Sequence, residues 1–180
     1  VGNENVFATY EGNDGIKLSN ILKKAIFSAK LGSLNLFISS AITKDSKVLF
    51  KRDIVERANT LAPFLQYDSD PYIVIDDGKL FWIIDAYTTS NKFPYSENLV
   101  GINYIRNAVK VVVDAYNGNV DFYVIDKKDP LIQNYAKIFP KLFKDFDDMP
   151  DGLKEHIRYP EDLMRVQMGI YGTYHMKDPQ

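Results

Sequence analysis

Two aspartates have the residue type and the surroundings that could support acid–base chemistry. Asp85 lies in the sequence Ile84-Asp85-Ala86-Tyr87, and Asp114 lies in the similar sequence Val113-Asp114-Ala115-Tyr116. Two carboxyl groups can serve as general acid and general base when they converge and their pKa values differ. Convergence would require parallel neighbouring strands, because a simple antiparallel arrangement would place the two aspartates at opposite ends of the sheet. The pair is therefore a hypothesis that depends on the topology.

The acidic segment Asp145 to Asp151 could suggest a calcium loop. Counted from Asp147, an EF-hand loop would have Met149 at position 3 and Arg158 at position 12, where an oxygen ligand and a bidentate Glu are needed. The segment is therefore predicted to be a solvated loop, and no metal site is predicted.

Other chemical signatures are weak or missing in the sequence. His156 and His175 are the only histidines, and they are not spaced as HxxxH or HExxH. The sequence has no GxSxG, GxGxxG or GxxxxGK[ST] motif, which leaves nucleophile-elbow chemistry and nucleotide binding unsupported. It also has no cysteine, which excludes disulfides and cysteine-bound zinc. No cofactor is predicted.

The composition indicates a folded domain but says little about binding partners. The 180 residues are 46% hydrophobic and 26% charged, with a net charge of −2, and nothing in these totals suggests nucleic acid. Residues 1–60 carry an excess of three positive charges, which is too small to claim a membrane-surface patch. No apolar run approaches the roughly 18–20 residues that a bilayer requires. From Val1 and the C-terminal Lys-Asp-Pro-Gln, we expect the chain to be a piece of a longer protein.

Two hairpins form the predicted centre of the fold. Asn117-Gly118 joins apolar runs at Val109 to Ala115 and Val120 to Asp126, which predicts a type I′ turn with a two-residue loop. Val109, Val111 and Val113 would then face the core, while Lys110 would lie on a half-wet face and Asp114 would lie opposite Asp121. Asp77-Gly78 predicts a second type I′ hairpin, between Tyr72 to Asp76 and Lys79 to Asp85, with both faces covered.

Helical patterns flank this sheet. The sequence predicts an α+β fold, with an antiparallel sheet of about four main strands built from two hairpins and with helices packed on it. Residues 1–66 are predicted to be mainly helical, residues 67–129 to form the sheet core, and residues 130–180 to be mainly helical, either as a single domain or as part of a larger one. The local predictions are a strand at Asn5 to Tyr10, a helix with an apolar stripe from Leu18 to Ala29 that ends at Gly32, a strand or short helix at Leu34 to Ile38, helices at Arg52 to Ala62, after Asp129-Pro130 and from Pro160, and a helical turn near Asn103.

A long polar loop is the predicted binding surface. Residues 88–101 lack a regular pattern, and loops of this length inside compact domains are often functional. Tyr87, Phe93 and Tyr95 could supply stacking platforms there for a sugar or a peptide.

Several blocks together resemble the uncharacterised protein family (UPF) 0182 of bacterial integral membrane proteins. They occur in order along essentially the whole chain, which makes the resemblance specific. The blocks are Tyr10-Glu11-Gly12, Gly15-Ile16-Lys17-Leu18, Arg52 to Arg57, Leu61 to Leu65, Asp68 to Tyr72, Asp77 to Ser90, Tyr104 to Lys110, Val113 to Gly118, Ile138-Phe139-Pro140 and His156 to Leu163.

The resemblance implies a topology and no reaction. Members carry several transmembrane helices ahead of a large soluble region thought to lie outside the cytoplasm, and this chain would be the early part of that region. The expected partners are the transmembrane and remaining soluble parts of the chain's own full-length protein, and an envelope polymer or peptide. The family brings no catalytic residue to transfer.

Two functions remain open from the sequence. The first is an extracytoplasmic binding or interaction module of a membrane protein, and the alternative is a carboxylate-based hydrolase acting on an envelope polymer, which would need acidic residues in a cleft. An enzyme is the less favoured of the two. Polar residues in the family-like blocks are the candidate binding residues. They are Asp85, Tyr87, Thr88, Arg106, Asn107, Lys110 and Arg158.

Overall fold

The structure is a computed structural model that describes residues 10–99 and 101–175. The chain divides into two compact units, Val1–Arg52 and Asp53–Gln180. The strand predicted at Asn5 to Tyr10 lies, except for Tyr10, outside the described residues.

The first unit contains two helices and a short pair of strands. Strand β1 (Ile16–Lys17) pairs antiparallel with β2 (Lys47–Val48), and helices α1 (Ile21–Leu31) and α2 (Asn35–Ile38) lie between them in the chain. Helix α1 begins where the Asn20 side chain accepts a hydrogen bond from the Lys23 backbone N–H at 2.9 Å. It ends at Gly32, whose φ of 64° favours glycine. The sequence predicted this end correctly, and α2 resolves the ambiguous segment Leu34 to Ile38 as a short helix.

The apolar stripe of α1 points away from the small core of this unit. Ile21, Leu22 and Ile26 are 72%, 64% and 55% exposed, whereas Phe27 and Ser28 are the buried residues of the helix. An apolar stripe at helical spacing normally faces a core. In this unit the core instead gathers Leu18, Phe27 and Val48.

The second unit is built on one mixed sheet, which has six strands within the described residues. The prediction of a simple antiparallel sheet of four main strands is wrong in two respects, since β3 adds a strand and β8 pairs parallel with β7. A helix connects β7 to β8, and such a crossover returns the chain in the same direction as the strand before it. The strands are β3 (Gln66–Tyr67), β4 (Tyr72–Asp76), β5 (Lys79–Ser90), β6 (Tyr104–Asp114), β7 (Val120–Val124) and β8 (Phe143–Asp145), in the order β3-β5-β6-β7-β8 with β4 also paired to β5.

Most helices of this unit lie where the sequence predicted them. Helices α3, α4 and α6 are confirmed, while the predicted helical turn near Asn103 is wrong because β6 begins at Tyr104. The acidic segment predicted as a loop instead contains the end of β8, a 3-10 turn at Phe146–Asp148 and a short helix. The helices are α3 (Ile54–Leu61), α4 (Pro130–Ile138), α5 (Asp151–Lys154) and α6 (Glu161–His175).

The hairpin between β4 and β5 has the predicted type I′ turn. Asp77 and Gly78 both have positive φ, at 47° and 71°. The predicted coverage of both faces is wrong for one of them, because Ile73, Ile75 and Leu80 are exposed.

The central hairpin has a different turn and register from those predicted. Val113 pairs with Val120, and the Gly118 N–H donates to the Asp114 carbonyl oxygen at 2.7 Å across a four-residue loop. Gly118 has a φ of 70°, whereas Asn117 does not have positive φ, so the turn is not type I′. Asp121 therefore faces Val112 and not Asp114, which avoids two like charges directly opposite each other.

Both faces of the sheet carry a core. Because the register shifted by two residues, Val109, Val111 and Val113 keep their predicted face, and all three are buried there against α3 and α4. The opposite face, with Ile83 and Val112, packs against the segment around α5. This second layer covers the face of β5 and β6 that carries Asp85 and Lys110.

Candidate functional site

A buried ion pair lies at the centre of the sheet, on the face that α5 covers. Asp85 and Lys110 are direct cross-strand partners and are only 3% and 1% exposed. The Lys110 ammonium group donates to Asp85 Oδ1, and it also donates to the Arg158 carbonyl oxygen at 3.0 Å. The half-wet face predicted for Lys110 is therefore wrong at this position, and the pair is held in a dry interior.

A β-bulge brings a third side chain to this pair. The register of β5 and β6 shifts between Ala86 and Tyr87, so that Tyr87 lies opposite Asn107. Asn107 Nδ2 then donates to Asp85 Oδ1 at 2.9 Å. Without the bulge, Asn107 would lie opposite Thr88 on the other face of the sheet. The bulge therefore completes the donor set of the buried carboxylate.

Burial and pairing act in opposite directions on the pKa of Asp85. Desolvation by burial raises the pKa of this carboxyl above its ordinary value, while the charge of Lys110 and the hydrogen bonds from Lys110 and Asn107 lower it. Burial is the larger effect. The Asn107 Oδ1 atom is also buried and accepts no hydrogen bond within the described part of the chain.

A second buried carboxylate, Asp68, lies next to the pair. Its Oδ2 accepts hydrogen bonds from the Tyr87 hydroxyl and from the Asp162 backbone N–H, the latter at 3.0 Å. Burial and the bond to Asp68 raise the pKa of Tyr87 well above its usual range. Asp162 in turn accepts two hydrogen bonds from Ser69, both at 2.8 Å. These reciprocal bonds attach the first turn of α6 to the connection between β3 and β4.

Arg158 is attached to the sheet by its backbone and by its side chain. The Arg158 guanidinium group lies 3.9 Å from the ring centroid of Tyr72, and the Arg158 backbone N–H donates to the Tyr72 hydroxyl at 3.3 Å. Together with the bond from Lys110 to the Arg158 carbonyl, these contacts hold the segment between α5 and α6 on the sheet.

The remaining two candidate residues lie on the opposite face. Thr88 Oγ1 donates to the buried Asp129 at 2.7 Å, and Arg106 forms an exposed ion pair with Asp126 at 3.6 Å. The structure thus brings Asp85, Asn107, Lys110 and the Arg158 backbone together, with Tyr87 adjacent, and places Thr88 and Arg106 elsewhere.

The predicted acid–base pair does not form. Asp114 faces Phe81, which is four residues along β5 from Asp85, and this separation corresponds to about 13 Å. Antiparallel pairing of β5 and β6 therefore keeps the two carboxyl groups apart.

The open surface of this unit is apolar and follows α6. A groove of about 310 Å³ lies between α6, the start of β6 and the loop after β5. Phe93 in that loop stacks on Tyr104 at 4.9 Å, and Tyr95 is fully exposed, but Tyr87 is buried and does not belong to the predicted aromatic loop surface. The groove is lined by Gln66, Ser96, Glu97, Leu99, Ile102, Asn103, Tyr104, Ile105, Val166 and Ile170.

Helix α6 also has a second apolar face, which lies outside the cores formed by the described residues. Met164, Met168 and Tyr171 follow each other at intervals of four and three residues and are 51%, 63% and 64% exposed. With Tyr159 they line a shallow concavity of about 580 Å³. None of the fifteen residues of α6, all of which are described, is buried. The sequence predicted a helix from Pro160 without singling out Met164, Met168 or Tyr171, although their helical spacing is visible in it.

Metal binding and membrane crossing find no support in the described residues. No group of three or more His, Cys, Asp or Glu side chains within residues 10–99 and 101–175 is placed to hold a metal ion. In the same residues, no helix combines the length and the apolar character that a bilayer crossing requires.

Comparison with known proteins identifies the family. The model of the Uncharacterised protein family (UPF0182) matches residues 1–180, so the chain belongs to this family. A UPF0182 protein of Pelotomaculum thermopropionicum is 55% identical over 99% of this chain, and one of Methanospirillum hungatei JF-1 is 51% identical over 99% of it. A UPF0182 protein of Clostridium tetani is 50% identical over 98%. No solved structure matches the chain.

The chain spans about a fifth of the length of these relatives. The matched share is 20% of the Pelotomaculum protein, 21% of the Methanospirillum protein and 20% of the Clostridium protein. It is therefore a fragment of a larger protein.

Proposed function

We propose that this chain, a member of the UPF0182 family, is an extracytoplasmic interaction module of a multi-pass membrane protein. In this proposal its α6 surface, which comprises the groove and the outer face with Met164, Met168 and Tyr171, binds another part of the same full-length polypeptide. The observation that carries the proposal is the exposure of α6, an amphipathic helix of which twelve of the fifteen residues are exposed and none is buried.

The distribution of polar and apolar groups favours binding over catalysis. The buried ionisable groups Asp68, Asp85, Lys110 and Asp129 all have partners inside the unit and are at most 3% exposed. A catalytic acid or base must reach its substrate. The exposed apolar side chains along α6 offer what interfaces use, since methionine and tyrosine are enriched at contact surfaces.

The buried network gives α6 a fixed starting point. Asp68 accepts a hydrogen bond from the first turn of α6, and Asp162 holds Ser69 in return. A rigidly mounted helix loses less conformational freedom when it binds, which favours association. The network therefore supports binding indirectly, by positioning the surface.

The occupant is proposed from the missing length. About four fifths of each relative lies outside the matched segment, so the full-length polypeptide supplies a large partner at high effective concentration. An envelope peptide or polymer would lack this advantage.

Photo-crosslinking in the full-length protein tests the occupant. A benzoyl-phenylalanine at Met168, combined with protease sites inserted on both sides of this 180-residue segment, should give fragments that stay joined on a denaturing gel after irradiation and cleavage. The matched control places the same probe at Ile138, an equally exposed apolar position at the end of α4. We expect joined fragments from Met168 and separate ones from Ile138. Separate fragments from both positions, or adducts to other molecules only, would reject the proposal.

The location of the module is tested separately. The chain has no cysteine, so a single Asn119→Cys substitution gives a unique thiol in this region of the parent protein. Asn119 is exposed, whereas Asn117, which the sequence placed at the tip of the hairpin, is half-buried and bonded to Asp114. We expect a membrane-impermeant maleimide to label Asn119→Cys in intact cells. Labelling that requires permeabilisation, while an outward-facing control thiol reacts freely, would place the module in the cytoplasm.

The hydrolase alternative draws on one observation. Asp68 and Asp85 occur in a single cluster, and burial raises the pKa of Asp85, as an acid catalyst would need. Since both carboxylates are closed off from solvent, this alternative has less support than the interaction module.

A further inference from the structure

The strongest unexplained surface lies in the first unit, on α1. Its stripe of Ile21, Leu22 and Ile26 is exposed and does not belong to the core that the described residues of this unit form. Leu34, which directly precedes the neighbouring α2, and Phe37 and Ile38 of α2 are also exposed. We call these six side chains the α1–α2 apolar face. Six exposed apolar side chains on two adjoining helices are more than the single exposed residues that are normal on a protein surface.

Positive charge borders this face. Lys23 and Lys30 stand three residues before and four residues after Ile26, so both lie beside Ile26 along one edge of this face, and both are exposed. The Lys30 ammonium group also lies 5.5 Å from the centroid of the Phe50 ring. Helix α1 contains three lysines and no acidic residue. Lys24 is directed to the unit itself, because its ammonium group donates to the Ile42 carbonyl oxygen at 2.7 Å.

The charge of the whole unit has the same sign. Residues 1–52 contain eight Lys or Arg against four Asp or Glu, a net charge of +4, whereas residues 53–180 carry fourteen against twenty, a net charge of −6. The small excess seen in the sequence is thus concentrated on the unit that also exposes the apolar face. A protein partner needs no such combination, whereas an anionic lipid surface attracts lysines and accepts apolar side chains between its headgroups.

We infer that the α1–α2 apolar face binds the surface of a bilayer that contains anionic lipids. Helix α1 lies parallel to the bilayer plane, with Leu22 and Ile26 inserted among the acyl chains and with Lys23 and Lys30 at the phosphate level. This inference concerns a different unit and a different partner from the α6 surface, and either one can fail without the other.

Vesicle co-sedimentation tests this inference with the 180-residue chain. We expect binding to vesicles of phosphatidylcholine and phosphatidylglycerol at 3:1, weak binding to pure phosphatidylcholine, and a clear loss when salt is raised to 1 M, where the Debye length falls to about 3 Å. The double variant Leu22→Gln/Ile26→Gln should lower the partition coefficient at least tenfold, because two inserted apolar side chains are lost. The double variant Lys23→Gln/Lys30→Gln should lower it about threefold or more.

A matched control distinguishes binding through this face from nonspecific adsorption of exposed apolar side chains to vesicles. Ile73→Gln/Ile75→Gln removes two comparably exposed apolar side chains from the second unit and should leave binding unchanged. Far-UV circular dichroism checks that all three variants fold. Failure of the parent chain to bind mixed vesicles, equal binding to pure phosphatidylcholine, or an equal loss in the α1 and control variants would overturn the inference.

Discussion

Replacing Lys110 with Met is expected to lower the free energy of unfolding by about 3–5 kcal/mol, because it leaves a buried carboxylate without its cation. Met has nearly the length of the Lys stem, so the change removes the charge and the hydrogen bonds with little loss of packing. Lys110 also donates to the Arg158 carbonyl oxygen, which would lose this partner. Urea unfolding followed by circular dichroism measures the change.

The same substitution at the surface provides the control. Lys144 pairs with Asp121 at 2.8 Å, but both side chains are well exposed, at 49% and 38%. Exposed pairs of this kind contribute less than about 1 kcal/mol. A Lys110→Met variant that is no less stable than Lys144→Met would show that Asp85 is not held as a buried ion.

The pH dependence gives a second test of the same pair. Without Lys110 the pKa of Asp85 rises further, since burial remains and the largest opposing effect is gone. A carboxyl whose folded-state pKa exceeds its unfolded value binds its proton more tightly in the folded state, so stability falls as pH rises through that interval. The deficit of Lys110→Met should therefore be smaller at pH 4 than at pH 7. Adding Asp85→Asn should recover part of the loss at neutral pH, because no buried charge is left.

The central hairpin illustrates what the sequence could predict. Alternating β-branched residues identified both strands and the core face of Val109, Val111 and Val113, because a strand has a period of two. The predicted type I′ turn was wrong. Asp114 accepts hydrogen bonds from the Tyr116 and Asn117 backbone N–H groups, and these bonds favour a four-residue loop. This competition between local side-chain bonds and the two-residue turn is not visible in the Asn-Gly pair itself.

The burial of Lys110 could not be predicted from its strand. Alternation assigned it to the half-wet face, and that assignment of face was correct. The face is shielded from water at Lys110 by Arg158 and its neighbours, 48 residues further along the chain. Sequence patterns report periodicity within an element, but they do not say which distant segment covers it.

The candidate residues lie on two different faces of the sheet for a related reason. Asn107 joins Asp85 only because a β-bulge shifts the register, and Thr88 lies on the opposite face with Asp129. The sequence correctly predicted that a helix begins after Asp129-Pro130, and Asp129 caps that helix, α4. Its additional contacts with β5 and β6 had no sequence signal.

Replacing Asp129 with Ala is expected to cost about 2–4 kcal/mol, more than the loss of a helix cap alone. The carboxylate accepts hydrogen bonds from the Ile132 N–H at 2.9 Å, from Thr88 Oγ1 at 2.7 Å and from the Tyr104 hydroxyl. Losing the cap costs about 0.5–2 kcal/mol, and leaving the buried Thr88 hydroxyl without an acceptor adds about 1–3 kcal/mol. Urea unfolding again gives the difference.

A second helix cap makes this prediction specific. Asp53 caps α3 through one bond to the Glu56 N–H at 2.7 Å, on the exposed surface. Asp53→Ala should therefore cost only the capping contribution, and Asp129→Ala should exceed it by more than 1 kcal/mol. In Asp129→Asn the amide group can accept on one side only, so its cost should fall between the parent and Asp129→Ala. Equal costs for Asp53→Ala and Asp129→Ala would mean that Asp129 caps α4 and contributes nothing through Thr88 and Tyr104.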